Sequence, residues 1–420
     1  MARQMKASGV EWIGEIPEGW NVVRIGSQYT ERKTKVSDTE YPPLSVTMKG
    51  ILPQLSTAAK TDAHDDRKLV CVGDFAINSR SDRRGSCGIS AYDGSVSLIN
   101  TILCPRDEMN PHYYDWLFHS TMFSDEFYKW GHGIVDDLWT TNWQDMKRIS
   151  IPEPPLSEQR RIAAFLDRRC AEIDAVIERT KVTIEEYKKL KQAVITEAVT
   201  KGVRGPRHMK DSGVDWMGEV PQTYDILKIK YVTDISRGLF NHRPRNDERY
   251  YGGSYPFIQT GDVAKANKYI TTYSQTLNEL GISVSKLFPK GTMTMTIAAN
   301  VGDVAILGFD AYFPDSVVGF TPKEGFSENY VYYLFCALKE MFIRTAVVST
   351  QLNLNVERIK DIFVPVTTEE NEQKEIAAYL DEKCAALDTL IAKKTALLTE
   401  LETYKKSLIY EYVTGKKEVQ

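Results

Sequence analysis

The chain has 420 residues, which at about 100 to 200 residues per domain exceeds one simple core. With 42% hydrophobic residues, 26% charged residues and a mean hydropathy of -0.35, it lacks both the apolar poverty of a disordered chain and the apolar surplus of a membrane protein. The formal charge is 53 minus 57, or -4, which by itself argues against gripping nucleic acid by bulk charge.

The N-terminal residues lack the apolar stretch of a secretory signal, and no run reaches the ~18 apolar residues of a membrane span. The sequence therefore predicts a cytoplasmic protein. Its first informative segment, Met5 to Ile25, reads MKASGVEWIGEIPEGWNVVRI and returns at Met209 to Ile229 as MKDSGVDWMGEVPQTYDILKI. Ten of the 21 positions match without a gap, among them Trp12/Trp216, Gly14/Gly218 and Pro17/Pro221. A repeat of this length means that one supersecondary plan is used twice.

Between the repeated ends lie divergent middles, 26–150 and 230–363. The first holds Ser45-Val46-Thr47-Met48-Lys49-Gly50 after Tyr41-Pro42, then Arg80-Ser81-Asp82-Arg83-Arg84-Gly85 after a strand-like run. In Asn110-Pro111-His112-Tyr113 the spacing approaches a base-holding motif of amino-methyltransferases, but the halves share its tyrosine and helix and not its Asn-Pro, so a helix start is the reading taken. Tyr113 to Leu117 faces Tyr330 to Leu334, and Asn142 and Asn355 each precede a strand end at Ile151-Pro152 or Val364-Pro365. Divergent middles on shared ends imply one frame holding two different tools.

From Ser157 to Thr200 there is neither Gly nor Pro, and a helix start follows Pro154-Pro155. Ala163, Leu166, Cys170, Ile173, Ile177, Thr180, Ile184, Tyr187, Lys191, Val194 and Ala198 alternate by threes and fours, which is a heptad seam. Adding 214 gives Ala377, Leu380, Cys384, Leu387, Ile391, Lys394, Leu398, Leu401, Lys405, Leu408 and Tyr412, a second seam of the same kind. At about 1.5 Å per residue such a helix is roughly 66 Å long. The short linker Lys201 to His208 then favours an antiparallel pair with a divergent domain at each end.

The second middle carries Arg237-Gly238-Leu239-Phe240-Asn241-His242-Arg243-Pro244-Arg245-Asn246 and Gln259-Thr260-Gly261-Asp262. Arg, Asn and Gln pair with base edges, and Lys mostly meets phosphate. The candidate DNA-binding set is thus Thr47, Lys49, Arg80, Ser81, Arg83, Arg84, Arg237, Asn241, His242, Arg243, Arg245, Gln259 and Thr260. Leu166, Ile173, Ile177, Ile184, Leu380, Leu387, Ile391 and Leu398 are the candidate helix-pairing residues.

Catalysis finds no support. Glu372-Gln373-Lys374 has the spacing of a metal nuclease, but its repeat mate Glu158-Gln159-Arg160 marks it as a helix entry. Gly131-His132-Gly133 and Gly252-Gly253 lack a phosphate-binding context. The six cysteines, 71, 87, 104, 170, 336 and 384, lie too far apart for a zinc site and read as buried thiols.

The duplicated entry Gly14-Glu15-Ile16-Pro17-Glu18-Gly19-Trp20, the segment Tyr41-Pro42-Pro43-Leu44-Ser45-Val46-Thr47 and the block Ile151 to Ala163, with its proline pair before Glu158-Gln159, resemble the specificity subunits of Type I restriction-modification systems. The resemblance covers nearly the whole chain, and departs from the pattern at Val364-Pro365-Val366-Thr367-Thr368, where the proline pair is replaced. It implies an internally duplicated α+β chain, with two α/β target-recognition domains joined by two long antiparallel coiled-coil helices. The domain limits expected are 1–152 and 209–365 for recognition, with 153–208 and 366–420 for the helices.

It also implies a non-catalytic subunit that reads an asymmetric, bipartite duplex DNA target, one domain per half-site, with the helices as ruler and dock. The implied partners are two methyltransferase subunits, which would hold S-adenosylmethionine, and a motor-nuclease subunit. No cofactor or metal is expected in this chain. The alternative is a coiled-coil scaffold for proteins, without DNA readout.

Overall fold

A computed structural model describes residues 3–54, 66–133, 139–345, 347–348 and 352–419. The chain divides into two compact units, 1–181 with 395–420, and 182–394. Each unit holds one globular domain and one stretch of each long helix.

In the first unit a four-stranded antiparallel sheet runs in the order Cys87–Ile89, Phe75–Asn78, Asn100–Pro105, Tyr29–Glu31. The second unit repeats this order as Val304–Leu307, Met293–Thr296, Val317–Pro322, Thr233–Arg237, and adds Tyr269–Ile270 beside Val304–Leu307. Registers agree as well: Leu103 faces Phe75, and Phe320 faces Met293. A second sheet accompanies each of these: Gly94–Val96, Arg67–Val70 and Lys35–Val36 in the first unit, and four strands around Tyr251–Phe257 in the second.

The repeated entry segments explain themselves locally. Met5–Ala7 pairs with Glu15–Pro17, and Met209–Asp211 with Glu219–Pro221. Gly9 and Gly14 turn the first pair with φ of 74° and 72°, and Gly213 and Gly218 turn the second with 70° and 61°. This left-handed region strains any residue with a Cβ, so both copies hold glycine there.

The two long helices are Leu156–Lys201 and Glu370–Val413. Their entries are pinned by the same two side chains. Asn110 N donates to Gln159 Oε1 at 2.9 Å, and Ser327 N to Gln373 Oε1 at 2.8 Å. Glu158 takes Arg3 at 2.7 Å and the Trp20 indole, and Glu372 takes Arg207 at 2.6 Å and Tyr224 at 3.0 Å. Where the second half lacks the proline pair, the Thr367 hydroxyl accepts from Glu369 N and bonds Glu372.

Within each unit the helices run antiparallel. In the first unit the Phe165 and Tyr412 rings meet at a tilt, centroids 4.4 Å apart, and Lys405 Nζ meets Asp174 at 2.6 and 2.7 Å. In the second unit Lys191 Nζ meets both oxygens of Asp388 at 2.7 Å. Lys405 is Lys191 plus 214 and Asp388 is Asp174 plus 214, so the seam lysines close repeat-related bonds.

Leu166, Ile173, Ile177 and Ile184 are buried, as is Leu380, and Leu387, Ile391 and Leu398 are half-buried. Helix residues also complete both domain cores. Leu408, Ile409 and Val413 join Trp20, Tyr113 and Ile151, and Ile376, Ala377 and Leu380 join Tyr224, Tyr330 and Val364. Among the described residues no helix is long and apolar enough to cross a membrane.

Candidate nucleic-acid interface

The first unit's arginines lie between two neighbouring strands of its main sheet. Asn78 N donates to Ser86 O at 2.9 Å and closes the loop, and Arg83 N to Arg80 O and Ser86 N to Arg83 O wind it into a 3-10 turn at Ser81–Arg83. Ser81 N donates to Trp139 O at 3.0 Å, so a second segment lies along the loop. Gly131 makes room for it, since a Cβ there would sit 2.4 Å from the Trp139 indole nitrogen.

Arg84 stands 5.0 Å over the Tyr128 ring and 3.3 Å from Asp125, with 57% of its side chain exposed, and Arg83 is 67% exposed. An open groove of about 610 Å³ runs past Ser81, Arg84, Tyr128, Lys129 and Trp139. The turn Thr47–Gly50, between strands Leu44–Thr47 and Gly50–Pro53, packs against the strand that leaves this loop: a Cβ on Gly88 would meet Gly50 Cα at 2.9 Å. Thr47 Oγ1 is committed to the turn, donating to Gly50 O and accepting from Lys49 N, whereas Lys49 is exposed.

In the second unit one carboxylate organises the arginines. Arg245 bonds Asp315 directly, Arg243 lies 3.5 Å from its other oxygen, and Arg237 Nε donates to its backbone carbonyl at 2.6 Å. Two guanidinium groups against one carboxylate, with a third on the backbone carbonyl, leave a local excess of positive charge. Their side chains remain open to solvent, 56% for Arg243 and 45% for Arg245. His242 stacks on Tyr250 with centroids 4.1 Å apart and lies 3.0 Å from Asp247. The Arg249 guanidinium holds the Asp247 carboxyl well below the usual range, and His242 adds to this. Asn241 is exposed beside this loop.

Gln259 and Thr260 belong to another network. Gln259 Nε2 donates to Gln275 at 2.8 Å, and its backbone N–H goes to Asp262 at the start of helix Thr260–Lys265.

The two arginine clusters are not repeat mates. Thr141 N donates to Ser79 O at 3.0 Å, and Leu354 N to Ile297 O at 2.9 Å. Ser79 N donates to Ile99 O, and Ile297 N to Ser316 O. The partner of the Arg80–Arg84 loop is therefore Ala298–Val301, and Asp315 stands where the first unit has Leu98. Sequence reasoning missed Tyr128, Trp139 and Asp315. Their place depends on contacts across dozens of residues, and no local spacing signals it.

The motifs suggestive of chemistry have structural roles. The Asn110 carboxamide accepts from His112 N and caps a helix, and the buried Tyr113 donates to Val413 O at 2.7 Å. Glu372 is spent on Arg207, Tyr224 and Thr367, and Lys374 on Glu370. Among the described residues no group of three His, Cys, Asp or Glu is placed to hold a metal.

Two copies of one sheet order, each with a different polar loop set, define an internally duplicated chain. Residues 221–402 match the family model described as the Type I restriction modification DNA specificity domain. The chain is 25% identical to the putative type I restriction enzyme MjaX specificity subunit of Methanocaldococcus jannaschii, over 96% of this chain and 95% of that one. It is 24% identical to the MjaVIII specificity subunit of the same organism, over 96% and 93%. A chain solved in work on complex assembly and conformational transition of the type I R-M system shares the fold, with a TM-score of 0.74 over 96% of this chain and 99% of that one at 16% identity. Over nearly its whole length the chain is thus similar to specificity subunits of type I restriction-modification systems.

Proposed function

We propose that this chain selects the DNA sequence for a cytoplasmic type I restriction-modification enzyme. Each unit reads one half of an asymmetric bipartite duplex target. One observation carries this reading: the two units share strand order and register, yet carry unlike polar groups on matching loops. A shared frame with exchanged loop chemistry suits a reader of two different half-sites.

In the first unit Arg80, Ser81, Arg83, Arg84 and Lys49 face the duplex, with Thr47 shaping the turn. In the second, Arg237, Asn241, His242, Arg243 and Arg245 do so, with Gln259 and Thr260 as a further polar edge. Arginine forks suit guanine O6 and N7, and lysine suits phosphate. The paired helices carry two methyltransferase subunits. Those subunits bind S-adenosylmethionine, flip the target adenine and methylate N6. A motor-nuclease subunit joins for cleavage.

The test exchanges residues 230–363 for those of a relative with a known target and maps methylated adenine after co-expression with the methyltransferase. One half of the target should change and the other stay. Change in both halves, or in neither, overturns the modular reading.

A further inference from the structure

The turn that replaces the Arg80–Arg84 loop in the second unit joins Met293–Thr296 to Val304–Leu307. It is short, and it is forced. Ala299 is the one described residue other than glycine with a positive φ, at 63°. A Cβ is unfavourable in that region, and such outliers persist only where their surroundings over-determine them.

The surroundings do so here. Gly302 N donates to Thr296 O at 2.9 Å, Asp303 N to Asn300 O at 3.3 Å, and the Thr296 hydroxyl to the same Asn300 carbonyl. At its base, Ile297 N donates to Ser316 O at 3.0 Å and Leu354 N to Ile297 O at 2.9 Å. The rest of the turn is anchored inward, with Ile297 and Val301 buried, whereas Ala299 and Asn300 are exposed. The outcome is a fixed backbone that presents one carboxamide to solvent.

The turn also has a charged neighbour. Ser316, which holds its base, follows Asp315, which gathers Arg237, Arg243 and Arg245. A carboxamide on a fixed backbone thus stands at the same end of the sheet as a fan of guanidinium groups. The same end of the sheet in the first unit carries arginines on the turn and the exposed Leu98 and Ile99 in place of Asp315 and Ser316.

We infer that Asn300 is a specificity-determining residue of the second unit, pairing through its carboxamide with an adenine edge while Arg237, Arg243 and Arg245 hold the duplex around it. Adenine presents N7 as acceptor and N6 as donor in the major groove, which a carboxamide matches with one donor and one acceptor. The inference rests on the proposed reading of DNA by the second unit, and adds which turn does the reading and which base it selects.

The experiment uses the full chain in complex with its methyltransferase subunits and a library of duplexes in which every position of the wild-type target is varied in turn, at one fixed salt concentration. Asn300→Ala should flatten the preference for A·T at a single position of one half-site, by about 5- to 150-fold. The other half-site should be read as before. Asn300→Asp keeps the shape but replaces the amide donor by an acceptor, and should lose the same preference. Its thermal unfolding, compared with that of the wild type, guards against loss of the fold as the cause.

If the wild-type complex discriminates and both variants retain its profile at every position, the assignment of Asn300 is overturned while the reading of DNA stands. If the variants lose a preference for G·C, the choice of adenine is overturned. A wild-type complex that binds all duplexes alike overturns the reading of DNA and this inference with it.

Discussion

At the scale of residues, the charge on the second unit's surface is arranged and not merely abundant. The Asp315 carboxylate fixes the direction of Arg245 and lies 3.5 Å from Arg243, cancelling part of their charge, while Arg237 rests on its backbone carbonyl. Asp315→Ala should therefore separate two properties that usually change together. Binding to a scrambled duplex should hold or strengthen, since local charge rises, and binding to the cognate duplex should weaken by about 1–3 kcal/mol as oriented base contacts are lost. Titrating both duplexes at equal salt measures the difference, and a parallel change in the two would refute the orienting role.

Burial decides another residue-scale property. It pushes the Cys170 and Cys104 thiols up to about 11 and the Cys336 thiol up to about 12. A folded-state pKa above the unfolded one means that the unfolded chain releases its proton first as pH rises. Stability from these groups is complete below about 8.5, the unfolded thiol value, and falls above it until the folded pKa is passed, less for the half-buried Cys104 and Cys336 than for the buried Cys170. Urea unfolding between pH 7 and 11 should show a midpoint that declines only above the unfolded thiol range.

At the scale of elements, the long helices were legible because periodicity is local. The alternation of threes and fours names the buried face without reference to a partner, and the predicted positions of Leu156–Lys201 from Ala163 to Ile184 are all buried. Lys191 and Lys405 are charged members of the two seams. Each bonds an aspartate of the other helix, at partly exposed sites. A pair so exposed contributes little, so a double-mutant cycle on Lys405 and Asp174 should give a coupling of about 1 kcal/mol or less. Leu380→Ala, at a fully buried seam position, should cost about 2–5 kcal/mol in the same denaturant assay.

The domain elements were less legible. Their strands are short, and the pairing of Asn100–Pro105 with Phe75–Asn78 joins segments more than twenty residues apart. The loops between them carried arginines that stood out in the sequence. Matching the two clusters to each other would have been a mistake, because the corresponding turn in the second unit holds Ala299 and Asn300.

At the scale of the whole molecule, a net charge of -4 still has to be reconciled with a DNA reader. The arginine sites are small and several of their groups face carboxylates. The chain alone should release few counterions on binding duplex, so log K against log salt should be shallow. Adding the methyltransferase subunits should steepen it, by about 0.9 for each further phosphate contacted. A slope unchanged by those subunits would place the phosphate-binding charge on this chain.

The duplication, the long helices and their buried faces, and the helix entries at Glu158-Gln159 and Glu372-Gln373 were determined by the sequence itself, since each is written in spacings within a few turns of chain. Only the tertiary structure decided which loops of the two halves correspond, that Asp315 gathers three arginines, and that Asn300 stands on a forced turn. Those facts depend on hydrogen bonds between strands far apart in the chain, and a difference in loop length between the halves hides their correspondence from any comparison of spacing alone.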